Sequence, residues 1–293
     1  MIRNILVPTD FSAPANGAAA YALHIARYLK CNLELCHSFI VPADLSQADQ
    51  VSWPLYDYDT LKENAMEQLA ALSRKLVRLN VLYKKSNIYK PIVNYSAEAI
   101  PVVQLLDSRI VKEKPVLVVA GSSGTGAVTR FFAGSTTRRL IEATTYPTIL
   151  VPPDFEFKPI RKIAFATDLD PDNIEAIHLL AGFAKQFDAE IVIVHVQGKT
   201  GHENTRQAKD FLLEMTSKIN YDNILYRELD SSVIQEGLDW ITENEWIDLL
   251  VMVHRQGNIL DRIFKGSHTK RQLDHISVPM LVLPEGFKGT FGV

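Results

Sequence analysis

Between residues 118 and 139 the chain reads VVAGSSGTGAVTRFFAGSTTRR: four glycines, four threonines and three serines, with no acidic residue. Residues of this kind bind anions. Glycine lets backbone N–H groups approach phosphate oxygens with no Cβ in the way, and serine and threonine add hydroxyl donors. Gly134, Ser135 and Thr136 open a run that reads as a helix, whose free N–H groups and dipole favour a negative charge by about 0.3–1 kcal/mol. Arg130, Arg138 and Arg139 add positive charge nearby. Two familiar phosphate motifs are absent. A P-loop requires G-x-x-x-x-G-K-[ST], but Gly126 is followed by Ala127 and no lysine. The fingerprint G-x-G-x-x-G belongs directly after the first strand, where this chain has PTDFSAPANG. Composition alone also suits plain turns here, with Ser135 as a helix N-cap.

The elements that must position these residues occur twice. "RNILVPTDFS" is answered by "RKIAFATDLD" and "LELCHSF" by "IVIVHVQ"; Asp10 matches Asp168 and His37 matches His195, both at an offset of 158. Later, "FFAGSTTRRLIEATTYPTILVP" is answered by "IFKGSHTKRQLDHISVPMLVLP" at an offset of 132, so the second copy is about 26 residues shorter in its middle. Two copies at so long a period are duplicated domains, not a solenoid. The proline-bracketed stretch PPDFEFKP at 152–159 separates a first domain, 1–153, from a second, 160–293.

Each copy alternates strand and helix signals. In the first, strands are expected at 4–7, 33–39, 88–95, 115–120 and 148–151, with helices at 14–28, 57–79, 99–111 and 135–143. In the second, strands fall at 163–166, 191–196, 223–228, 249–253 and 280–283, with helices at 172–187, 204–218, 233–243 and 267–275. Strands that are apolar without alternation are buried on both faces, so the fold class is α/β: two tandem, doubly wound, parallel five-stranded sheets of order 3-2-1-4-5. In such a sheet ligands bind beyond the carboxyl ends of strands 1 and 4, where the strand order reverses. Strand 1 ends in Pro8, Thr9 and Asp10, and strand 4 in Gly121, Ser122, Ser123 and Gly124.

These residues resemble the universal stress protein family. Its nucleotide motif is G, two residues, G, nine residues, G-[ST], and Gly121, Gly124 and Gly134-Ser135 fit it without a gap. PTDFS after the first strand and a histidine in the second strand are similar too, and the likeness covers both halves. The resemblance implies the adenine nucleotide alpha hydrolase-like fold and an adenine nucleotide as ligand, ATP with or without Mg2+. By position, Thr9 and Asp10 would lie against adenine and ribose, Ser38 would border the adenine, Gly121 and Gly124 would pass beneath ribose and phosphates, and Gly134, Ser135 and Thr136 would hold the phosphates. The resemblance also implies pairing of the two halves through their last strands, ILVP and MLVLP, which leaves a homodimer of chains open. Binding would set the 125–133 insert as a conformational switch. In the second copy Gly121 is matched by His254, and only eight residues separate Gly257 from Gly266. That half is expected to bind ATP weakly or not at all.

Other chemistry is poorly supplied. His254, His268 and His275 do not have the spacing of a compact tetrahedral metal site. Ser122 and Ser123 have no evident His–Asp partners, so no catalytic residue is assigned. Two alternatives stand beside the nucleotide-responsive regulator: a slow ATPase or adenylyl-transfer enzyme, and an ATP-independent module binding a small ligand or metal in the second half. The net charge of −3 gives no broad footprint for nucleic acid, and no apolar run reaches the roughly 18–20 residues that span a bilayer. Cys31 and Cys36 read as buried free thiols, consistent with a reducing cytoplasm.

Overall fold

The computed structural model of the chain describes residues 3–41, 58–82, 89–122, 145–197, 204–230, 247–255 and 278–291. The described strands are β1 (Asn4–Pro8), β2 (Asn32–Ser38), β3 (Val93–Glu98), β4 (Leu117–Gly121), β5 (Thr148–Val151), β6 (Lys162–Thr167), β7 (Glu190–Gln197), β8 (Ile224–Asp230), β9 (Leu249–His254) and β10 (Met280–Pro284). The described helices are α1 (Ala13–Leu29), α2 (Tyr58–Leu82), α3 (Val102–Glu113), α4 (Asn173–Phe187) and α5 (Asn204–Lys218). Expected helices at 135–143, 233–243 and 267–275 lie outside the described residues.

The strands form one sheet of ten, in the order β3-β2-β1-β4-β5-β10-β9-β6-β7-β8. Each half keeps the expected order, and the two expected sheets are continuous. Within each half every pairing is parallel; β5 and β10 pair antiparallel, with Leu281 opposite Ile149. All strands of one half therefore run opposite to those of the other. Ile5 and Val7 point into a core shared with α1, α2, α4 and α5; Leu6, Val118 and Ala120 point the other way, towards Leu105 and Leu106 of α3. Burial of both faces explains why the inner strands β1, β4, β5, β9 and β10 lack alternation.

Helix ends follow local chemistry. Ser12 caps α1 by accepting from the Ala15 N–H at 3.3 Å, and Pro14 stands in its first turn, where no N–H is needed. Lys30 and Asp188, which correspond at the offset of 158, close α1 and α4 in the left-handed conformation. Two expected boundaries are shifted. β3 begins at Val93 because Pro91 has no N–H and the Ile92 N–H donates to the Asn32 side chain at 3.0 Å; it continues to Glu98 because Ser96, Ala97 and Glu98 stay in register with Cys36, His37 and Ser38. α3 starts at Val102, after Pro101 in the N-cap position.

Aromatic rings fill the junction of the halves. Tyr28 of α1 stacks on Phe187 of α4 with centroids 4.7 Å apart. From the 152–159 stretch, Phe155 and Phe157 lie edge-on to Tyr21 at 5.9 and 5.4 Å, and Phe157 stacks on His24 at 4.2 Å. Phe287, beyond β10, meets Tyr146 of the first half at 5.0 Å.

Candidate functional site

Strand order reverses between β1 and β4, and the residues just past their carboxyl ends form the first crevice. Its floor is the turn from β1 into α1. The Thr9 N–H donates to the Cys36 carbonyl at 2.9 Å, and the Thr9 hydroxyl oxygen accepts from the Phe11 N–H at 3.0 Å. One oxygen of Asp10 accepts from the Ser12 N–H at 3.0 Å, so this carboxylate braces the turn while remaining exposed to solvent. Phe11 sits at φ 65°, a conformation that side chains adopt at a cost of about 1–2 kcal/mol. Its ring lies against His37 at 4.5 Å, and His37 Nδ1 donates to the Thr9 carbonyl at 2.8 Å. The strand histidine thus holds the turn from behind.

The other expected site residues divide into two groups. Ser38 ends β2 on the same edge, but its hydroxyl donates to the Ile100 carbonyl. Gly121 ends β4 directly against α1: a Cβ there would lie 2.6 Å from the Pro14 carbonyl oxygen and 3.0 Å from the Ala15 nitrogen. The close approach that demands glycine is therefore to the first turn of α1, and it draws β1, α1 and β4 together around the crevice. Ser122 is buried, its N–H and hydroxyl both donating to the Val151 carbonyl. Gly124, Gly134, Ser135 and Thr136 lie outside the described residues, as does the 125–133 insert.

The second half repeats the turn and alters its surroundings. Leu169 at φ 63° replaces Phe11, its N–H donates to the Thr167 hydroxyl at 2.9 Å, and His195 Nδ1 donates to the Thr167 carbonyl at 3.0 Å. Sheet register corrects the expected match of His254 to Gly121: Val253 lies opposite Leu283 as Gly121 lies opposite Val151, an offset of 132, so the place of Ser122 is taken by His254. Its Nδ1 is buried without a hydrogen-bond partner. Beside it Arg255 reaches into the crevice and contacts Asp168, Asp170, Asn173 and Glu285. The sequence carried a signal for this network: the run DLDPDN has two acids more than its counterpart DFSAPAN, and an arginine follows β9.

Among the described residues no group of three or more His, Cys, Asp or Glu side chains could hold a metal ion. Burial pushes the Cys31 and Cys36 thiols up to about 12, which keeps them protonated and unreactive. No described helix is long and apolar enough to cross a membrane.

A family model described as the universal stress protein family matches residues 1–152 and again 159–284. No curated protein matches the chain significantly. Among solved structures, the chain is similar to a universal stress protein from Archaeoglobus fulgidus DSM 4304, at 17% identity and a TM-score of 0.68 over 97% of this chain and 98% of that one. A putative universal stress protein from Pseudomonas aeruginosa UCBPP-PA14 is similar at 13% identity and 0.55, over 97% and 93% of the two chains. The cytoplasmic domain of a prokaryotic cation chloride cotransporter is similar at 12% identity and 0.58, over 99% of both. At such identities the likeness is one of fold, which proteins of different kinds share.

Proposed function

Since the chain belongs to the universal stress protein family, we propose that its first half binds an adenine nucleotide, ATP in the first instance, and that the protein acts as a nucleotide-responsive regulator in the cytoplasmic stress response. The observation that supports this reading most directly is Asp10: an exposed carboxylate at the end of β1, fixed by the Ser12 N–H, across the crevice from Gly121, where G-x2-G-x9-G-S begins.

A carboxylate accepts hydrogen bonds only, so Asp10 suits a ribose hydroxyl donor. It is not placed for phosphates, which it would repel. The phosphates would instead meet Gly124, Gly134, Ser135 and Thr136, where glycine backbone and hydroxyl donors are concentrated. Thr9 would line the ribose side. Ser38 and Gly121 would act indirectly, as residues that shape the rim: the hydroxyl of the first and the missing Cβ of the second are engaged within the protein. Mg2+, when it accompanies the nucleotide, would neutralise phosphate charge. Binding would bias a conformational equilibrium of the first half and so alter what the protein contacts. The halves would work as one lasting intramolecular pair through β5 and β10.

Isothermal titration of the full chain with ATP, preceded by mass spectrometry of the protein as purified, tests the reading. One nucleotide per chain is expected. Asp10→Ala should weaken affinity roughly tenfold or more, the value of a hydrogen bond to a charged group. Absence of saturable binding at millimolar ATP would sink it.

A further inference from the structure

The equivalent crevice of the second half contains a positively charged group supplied by the chain itself. Arg255 follows β9 directly. Its side chain is only 10% exposed. Nη1 lies 2.6 Å from Asp170 Oδ2 and 3.8 Å from Asp168 Oδ2, and Nε lies 3.1 Å from Glu285 Oε1. Nη2 donates to Asn173 Oδ1 at 3.3 Å.

Asn173, itself buried, extends the network inward. Its Nδ2 donates to Asp168 Oδ1 at 2.7 Å and to the Thr167 hydroxyl at 3.0 Å. Asp168 is the counterpart of Asp10. Asp10 accepts from a backbone N–H and stays open, whereas Asp168 is bonded on one oxygen by the Asp170 N–H and Asn173 and faced on the other by Arg255.

We infer that Arg255 is the built-in occupant of the second crevice. Its guanidinium takes the place beyond β6 and β9 that a ligand would need, and consumes the carboxylate that would receive one. Charge argues the same way. Three carboxylates surround one guanidinium, a local excess of two negative charges, so the arginine is not available to draw in phosphates. The planar fork suits several acceptors at once, which a lysine would not. Because Glu285 follows β10, the same side chain ties the crevice to the strand that pairs with the first half. The second half is on this account a ligand-independent structural partner. The inference does not rest on nucleotide binding by the first half.

Thermal unfolding of full-length Arg255→Gly, with and without millimolar methylguanidinium, tests it. The variant should lose roughly 4 °C or more in Tm, and methylguanidinium should restore much of the loss by filling the vacated place, leaving the native chain unmoved. Ethylammonium and sodium chloride at equal ionic strength should not. Arg255→Lys, which retains the charge and loses the fork, should fall between the two, and it serves as the reference should the glycine variant fail to fold: methylguanidinium should then raise the lysine variant's Tm no more than sodium chloride does, while Asp170→Asn in the lysine background should cost less than in the native chain. A glycine variant as stable as the native chain, rescue equal for all salts, or an undiminished Asp170→Asn effect in the lysine background would each overturn the proposal.

Discussion

At the scale of single residues, His24 shows how packing fixes a protonation state. Its ring is stacked on Phe157, and its Nδ1 accepts from Arg27 Nη1 at 2.8 Å. Burial, and then the neighbouring Arg27 charge, lower its pKa from the ordinary 6.5 to about 4. The folded protein therefore binds this proton less readily than the unfolded chain. The stabilisation is fully present above pH 6.5 and is lost as pH falls from 6.5 towards 4. Replacing His24 by Phe should flatten the dependence of unfolding free energy on pH in that window, read by denaturant titration at pH 4, 5, 6 and 7. An unchanged slope would show that the stacked imidazole does not govern it. The group matters beyond itself because Phe157 belongs to the stretch joining the two halves.

At the scale of elements, the meeting of β4 with α1 sets the shape of the first crevice. Gly121→Ala would drive a Cβ to 2.6 Å from backbone that cannot rotate away, and should destabilise the protein by about 1–3 kcal/mol. Gly17→Ala, inside α1 with nothing within 4 Å of the new Cβ, should stabilise it by about 0.5–1 kcal/mol. Chemical denaturation of the two variants separates a packing requirement from the general effect of glycine removal; equal responses would refute it. Much of this level was legible in the sequence. Apolar runs such as LVVAG and MLVLP announced buried parallel strands, and Ser12 and Pro14 announced the start of α1. The turn from β1 was readable as PTDFS, but not the reason for Gly121, which depends on a contact between residues about 107 positions apart. Arg255 was unreadable as an occupant for the same reason: its partners come from the β6–α4 turn and from beyond β10, and only the sheet order brings them together.

At the scale of the whole molecule, the central pair of strands decides the behaviour of each half in isolation. β5 and β10 are buried and apolar, and each would become an exposed edge if its partner were removed. Residues 1–152 expressed alone should therefore self-associate, replacing β10 by a second β5, and should return to a one-to-one complex when residues 159–293 are co-expressed. Size-exclusion chromatography with light scattering distinguishes these states; a stable monomeric first half would count against the role given to this pairing. Because the halves run in opposite directions, their two crevices open at opposite ends of the strands, and four strand spacings alone offset them sideways by roughly 20 Å. A single small molecule does not span both.

The antiparallel seam between β5 and β10 is the kind of contact two identical subunits make about a twofold axis. In a dimer of identical subunits, any substitution appears in both copies, so a side chain that closes one pocket closes its twin. Joining the copies into one chain removes that constraint. Ser123 and Arg255, which correspond at the offset of 132, have been free to differ, which lets one pocket be given up to hold the frame while the other keeps its open carboxylate. The fused seam is thus what makes asymmetry possible in a molecule whose architecture is otherwise symmetric.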